Sequence, residues 1–126
     1  MVSILSDIKK WIQACRPRTL IASASPVLVT MMLVRTEPQF SFLTGLIVLI
    51  DALLLQIAAN LANDVIDYER GSDTKDRIGP IRLTSSGLIA SEQMKFVSGL
   101  ALVLAFLLGI PLVIRGGFPI VVIGVS

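Results

Sequence analysis

The sequence predicts an all-α fold: a multi-pass transmembrane helix bundle, with about four membrane helices present out of a larger bundle. Three observations predict it. Hydrophobic residues make up 54% of the chain and charged residues 16%, against about 25% charged in an average soluble domain. The apolar residues are gathered into runs: residues 19–34, 96–114 and 116–126 carry no charge, and residues 41–62 carry only Asp51. The basic residues alternate between loops, since nine of the 11 precede the first run or lie between the second and third.

The elements follow in order. Residues 1–18 read as an interfacial helix. Ile4, Leu5, Ile8, Trp11, Ile12 and Cys15 fall near helical spacing. Trp11, Arg16 and Arg18 suit the membrane–water boundary. The first span is marginal in length and contains Pro26, which removes a helical hydrogen bond and is expected to face protein. Pro38 marks a short loop. The second span continues through Asn60 to about Tyr68, with Gly71 as the stop. Residues 71–90 form a polar segment read as a cap loop, because Ile78, Ile81, Leu83 and Leu88 interleave with Arg77 and Arg82. Ser91 opens the next helix, and Arg115, Gly116 and Gly117 form a turn before the last apolar run. The basic bias places the N-terminus and the 71–90 loop on the cytoplasmic side of the cell membrane.

Composition removes several function classes. A net charge of +2 gives no basic face for nucleic acid. The chain has no histidine, which excludes histidine metal sites and Ser-His-Asp catalysis. Cys15 is the one cysteine and forms no internal disulfide.

The chemistry is concentrated at the end of the second span. Asn60, Asn63, Asp64 and Asp67 are spaced by three and four, which places them on one helix face. Carboxylates continuing from an apolar span are costly in lipid and face protein or a water-filled cavity. Asp64 and Asp67 repel unless a cation lies between them. Hard oxygens suit Mg²⁺, which takes one or two carboxylates together with phosphate oxygens. The residues therefore point to a Mg²⁺–diphosphate site with Asp64 and Asp67 on the metal. Asp73 adds a third carboxylate, and Arg77 and Arg82 hold diphosphate oxygens. The competing reading is an ordinary solvated helix end. Asp51, deep in the second span, is a functional group by default or a partner for a neighbouring helix. Gln56 reads as a helix–helix hydrogen-bonding residue.

The run Asn60, Leu61, Ala62, Asn63, Asp64, Val65, Ile66, Asp67 resembles the first aspartate-rich motif of the UbiA superfamily of intramembrane prenyltransferases. Gly71-Ser72-Asp73, then Asp76 through Arg82 and Gly87, are similar to the branch acting on 1,4-dihydroxy-2-naphthoate in menaquinone synthesis. Arg16 through Leu20 and Ala24 through Leu28 resemble the same branch. The resemblance implies a bundle in which two aspartate-rich motifs face each other across a cavity holding Mg²⁺ and a polyprenyl diphosphate. It implies catalytic roles for Asp64 and Asp67 and diphosphate binding at Asn60, Asn63, Asp73, Arg77 and Arg82. The partners implied are polyprenyl diphosphate, an aromatic acceptor and membrane lipid.

The chain supplies the first motif alone, so it is expected to be the N-terminal part, 1–126, of one such domain and inactive by itself. Leu83, Thr84, Ser85 and Ser86 depart from the branch pattern. The alternative is a small non-enzymatic membrane protein or transporter fragment, with Asp51 on an ion path.

Overall fold

Each apolar run folds as a helix, because no water is present in a bilayer to satisfy an open backbone. A computed structural model describes residues 1–70, 84 and 88–126. Five helices follow in order: α1 (Val2–Cys15), α2 (Pro17–Val34), α3 (Phe42–Glu69), α4 (Ser91–Gly116) and α5 (Phe118–Val125). Among the described residues there is no strand.

Local chemistry sets the boundaries. Arg16 separates α1 from α2 in the left-handed region, with φ 53° and ψ 77°. Its N–H donates to the Gln13 carbonyl at 3.1 Å, which closes α1. Pro17 then starts α2, where its missing N–H has no intrahelical partner to lose. Ser41 caps α3, its hydroxyl accepting the Thr44 N–H at 3.2 Å. Gly117, with φ 73°, makes the turn between α4 and α5.

Three helices, α2, α3 and α4, are long and apolar enough to cross a membrane. The last apolar run opens a further helix, α5, of which 8 residues lie within the sequence. The 28 residues of α3 reach about 42 Å. That exceeds a hydrocarbon core about 30 Å thick by about two turns and carries the polar C-terminal end of α3 out of the hydrocarbon. Pro26 lies exposed on the rim of a groove of about 420 Å³ between α2 and α3.

The helices pack mainly through α3. Ala58, Ser98, Ala101 and Ala105 are buried where α3 and α4 meet, and small residues of this kind let two backbones approach closely in a membrane. The Ser98 hydroxyl donates to the Ala58 carbonyl at 3.0 Å across that contact. Ala14, Leu61, Val65, Ile89 and Met94 form the core cluster, with Trp11, Ile57 and Val97 packed against it. This core lies at the polar end of α3 and ties α1 and the segment before α4 to that end.

Candidate functional site

The site is built on the last turns of α3. Asn60, Asp64 and Asp67 follow one another at helical spacing, and Asn60 and Asp64 are only 3% and 4% exposed. Asp67 is half-buried and Asn63 is exposed, at the edge of the same face. Asp73, Arg77 and Arg82 lie outside the described residues, as does most of the 71–90 cap loop. Among the described residues, no three acidic or cysteine side chains are grouped to hold a metal.

Asn60 is the centre of a polar chain between three helices. Its Nδ2 donates to the Cys15 carbonyl at 2.8 Å and to Thr19 Oγ1 at 2.7 Å. Its Oδ1 accepts from Gln56 Nε2 at 3.1 Å. Gln56 Oε1 in turn accepts from the Ser23 hydroxyl at 2.7 Å. Thr19 Oγ1 donates to the Arg16 carbonyl at 2.9 Å. The two amide hydrogens of Asn60 are thus both engaged with the bend between α1 and α2. A non-glycine residue in the left-handed region costs about 1–2 kcal/mol. The bonds on either side of Arg16 hold it there.

Asp64 faces a different element. Its Oδ1 accepts the backbone N–H of Thr84 at 3.1 Å, in a buried contact. Thr84 is itself 4% exposed, and its hydroxyl oxygen is buried with no hydrogen-bond partner among the described residues. A buried, unpaired hydroxyl costs about 1–3 kcal/mol. Below these turns, Asp51 has one buried carboxylate oxygen without a partner among the described residues. It borders a groove lined by Leu55, Leu102 and Phe106.

Gln56 joins two helices as its polarity in an apolar run suggested. Thr19 and the Cys15 carbonyl carried no readable signal, since a threonine near a span and a backbone carbonyl have no spacing of their own. Thr84 is one hydroxyl in a run of three and is distinguished only by what it touches.

The chain matches the model of the UbiA prenyltransferase family over residues 23–125. The chain belongs to the UbiA prenyltransferase family. Among curated proteins, this UbiA chain is 39% identical over 109 residues to the 1,4-dihydroxy-2-naphthoate octaprenyltransferase of Escherichia coli (strain K12), covering 86% of the chain and 35% of that protein. The protein of the same name from Haemophilus influenzae is 36% identical over 108 residues, covering 84% and 35%. That of Bacillus subtilis (strain 168) is 38% identical over 93 residues, covering 74% and 28%. The chain thus spans about a third of the length of these relatives. No solved structure gives a significant match. The aspartate face of α3, all of α3 and α4 and most of α2 fall within the matched residues.

Proposed function

We propose that this chain contributes the first diphosphate half-site of an intramembrane enzyme that transfers a polyprenyl group to 1,4-dihydroxy-2-naphthoate, a step of menaquinone synthesis. The observation that carries the reading is the buried carboxylate of Asp64, held by the Thr84 N–H at the polar end of a membrane-length helix. The naming of the relatives supports the acceptor. Family membership weighs against a transporter role for Asp51.

The residues fit Mg²⁺ in chemistry. Asp64 and Asp67 offer hard carboxylate oxygens of the kind that Mg²⁺ takes. When bound, Mg²⁺ neutralises charge on the departing diphosphate. The protein's part is positional. Asp64 is fixed in direction by Thr84, and Asp67, one turn on, reaches the same side. Asn60 holds the α1–α2 bend against α3 with its N–H groups. Asn60, Asn63, Asp73, Arg77 and Arg82 remain proposed diphosphate contacts. Prenyl transfer to 1,4-dihydroxy-2-naphthoate by the full-length protein, measured across a Mg²⁺ titration, tests the whole reading. Transfer that is unaffected by chelation of Mg²⁺ would sink it.

The basic bias supports a cytoplasmic N-terminus and a cytoplasmic 71–90 loop. With the native thiol removed as Cys15→Ser, Ser72→Cys should resist an impermeant thiol reagent added to intact cells, and Gln39→Cys should react. The reverse pattern would overturn the orientation.

A further inference from the structure

We propose that the groove beside Asp51, between α3 and α4, docks a further membrane helix of the same polypeptide, and that this helix brings a hydrogen-bond donor to the Asp51 carboxylate. The proposal is independent of the diphosphate half-site.

Depth makes Asp51 demanding. It lies about 14 Å along α3 from Phe42, near the middle of a hydrocarbon core about 30 Å thick. A carboxylate at that depth is costly in lipid and takes a partner. Asp51 Oδ1 is buried, and no donor reaches it among the described residues. The neighbouring helices have none to offer. α4 presents Leu102, Ala105 and Phe106 at the groove. Gly109 faces Oδ2, where an added Cβ would stand 3.9 Å away. The hydroxyls of Ser23, Ser25, Thr30 and Ser98 are engaged elsewhere, on Gln56 or on backbone carbonyls. The residues of α5 carry no side-chain donor.

The groove supplies the room, and the carboxylate selects the occupant. Open space of about 540 Å³ borders Asp51, walled by Leu55, Leu102, Val103 and Phe106. Phe106 is 74% exposed and Val103 56%. Lipid chains solvate such an apolar wall well, but they offer Asp51 no donor. A second copy of this surface docked about a twofold axis would set one Asp51 against the other, two like charges at low dielectric. A helix with an apolar face and one polar side chain meets both demands. Its backbone N–H groups are bonded within the helix, so the donor is a side chain, and its bond to the carboxylate is charge-assisted. The matched residues cover 35% of the Escherichia coli relative, so most of the family's polypeptide lies outside residues 1–126 and can provide that helix.

The test uses the full-length protein reconstituted in lipid vesicles, with the photo-crosslinker p-benzoylphenylalanine in place of Phe106. Irradiation and peptide mass spectrometry should find an intramolecular adduct on a membrane segment outside residues 1–126. Adducts confined to lipid, or to a second copy of the chain, would overturn the docking. If that variant does not fold, the same crosslinker in place of Val103 makes the same measurement. The donor is tested by melting temperature in the same vesicles. Asp51→Leu leaves the donor unpaired and should lower the melting temperature, whereas Asp51→Asn keeps an acceptor oxygen and should lower it less. A higher melting temperature in Asp51→Leu would show a carboxylate without a donor and overturn the pairing. Neither measurement involves Asp64 or Asp67, so the half-site stands or falls separately.

Discussion

The two ends of the helix bundle are organised differently. At the polar end of α3, Leu61 and Met94 are fully buried, and Asn60, Asp64 and Ser98 are buried with hydrogen-bond partners. At the other end, Leu33, Phe42, Ile114 and Phe118 are exposed. There a bond from Arg115 to the Gln39 carbonyl, at 2.6 Å, joins the α2–α3 loop to the end of α4. The difference follows from the solvent. Lipid is as apolar as leucine, so apolar side chains gain little by leaving it for protein. At the polar end, beyond the hydrocarbon, apolar side chains such as Leu61 and Met94 do gain by leaving water, and the polar groups packed among them are hydrogen-bonded. Dense packing in this chain therefore follows polarity, and it is densest where the chemistry is proposed.

The sharpest way to test that contrast is to remove a carboxylate from the dense end. Asp64→Asn, in the full-length protein, should lower prenyl transfer by about 10²–10³, the typical cost of losing one electrostatic stabiliser of developing charge. Asp67→Asn should lower it comparably. Asp64 is buried on Thr84 and Asp67 is half-buried, so only the first substitution should also lower the melting temperature. Near wild-type transfer in both variants would show that the packing at this end serves structure alone.

That contrast was only partly legible in the sequence. α3 and α4 were readable because their apolar runs are long enough to span a bilayer, and α2 was readable only marginally. The aspartate face was readable because Asp64 and Asp67 lie one turn apart beyond such a run. The bend at residue 16 was not read: residues 1–18 were expected to form one helix, whereas α1 ends at Cys15 and Pro17 opens α2. The partners of those residues were not readable. Asn60 falls in phase with the aspartates, and spacing alone assigns it to the same ligand. Its two N–H groups instead go to Cys15 and Thr19, more than 40 positions away in the chain. Thr84 reaches Asp64 across 20 residues. Helical periodicity describes one helix at a time, and these contacts belong to the folding of one element onto another.

A smaller effect is expected from cutting the polar chain at the same end. Asn60→Leu preserves approximate volume and leaves the Cys15 carbonyl and Gln56 without their partner. The loss should be about 1–3 kcal/mol for each group left unpaired, read as a lower melting temperature. The native thiol reports the same event. Burial pushes the Cys15 thiol above its ordinary pKa, so alkylation of the wild type should lag a free thiol at pH 8 and accelerate as pH rises. The sign for stability follows from linkage: the folded state holds this proton more tightly than the unfolded chain. Its contribution is full below the unfolded value, about 8.5, and is lost as pH rises through the higher folded value. Asn60→Leu should release the bend and bring the alkylation rate toward that of a free thiol. An unchanged rate with a lowered melting temperature would mean that Asn60 supports α3 without holding the bend.

The smallest effect is expected at the sparse end, and it tests the comparison from the other side. Arg115 donates to a backbone carbonyl of the α2–α3 loop, and both groups are exposed. Removing the guanidinium by Arg115→Ala leaves the Gln39 carbonyl open to water or lipid headgroups, which accept it without a desolvation penalty. No buried group is orphaned and no cavity forms, so none of the mechanisms that produce large losses applies. The charge itself sits near a helix C-terminus, where its interaction with the helix dipole is worth about 0.3–1 kcal/mol and is screened by salt. Arg115→Ala should therefore lower stability by less than about 1 kcal/mol, with the difference shrinking in high salt, and should leave Mg²⁺–pyrophosphate binding unchanged. Thermal unfolding at two salt concentrations measures the first effect, and calorimetry measures the second. A loss as large as that of Asn60→Leu would mean that the far end also depends on its polar contacts, and the division of the bundle by polarity would fail.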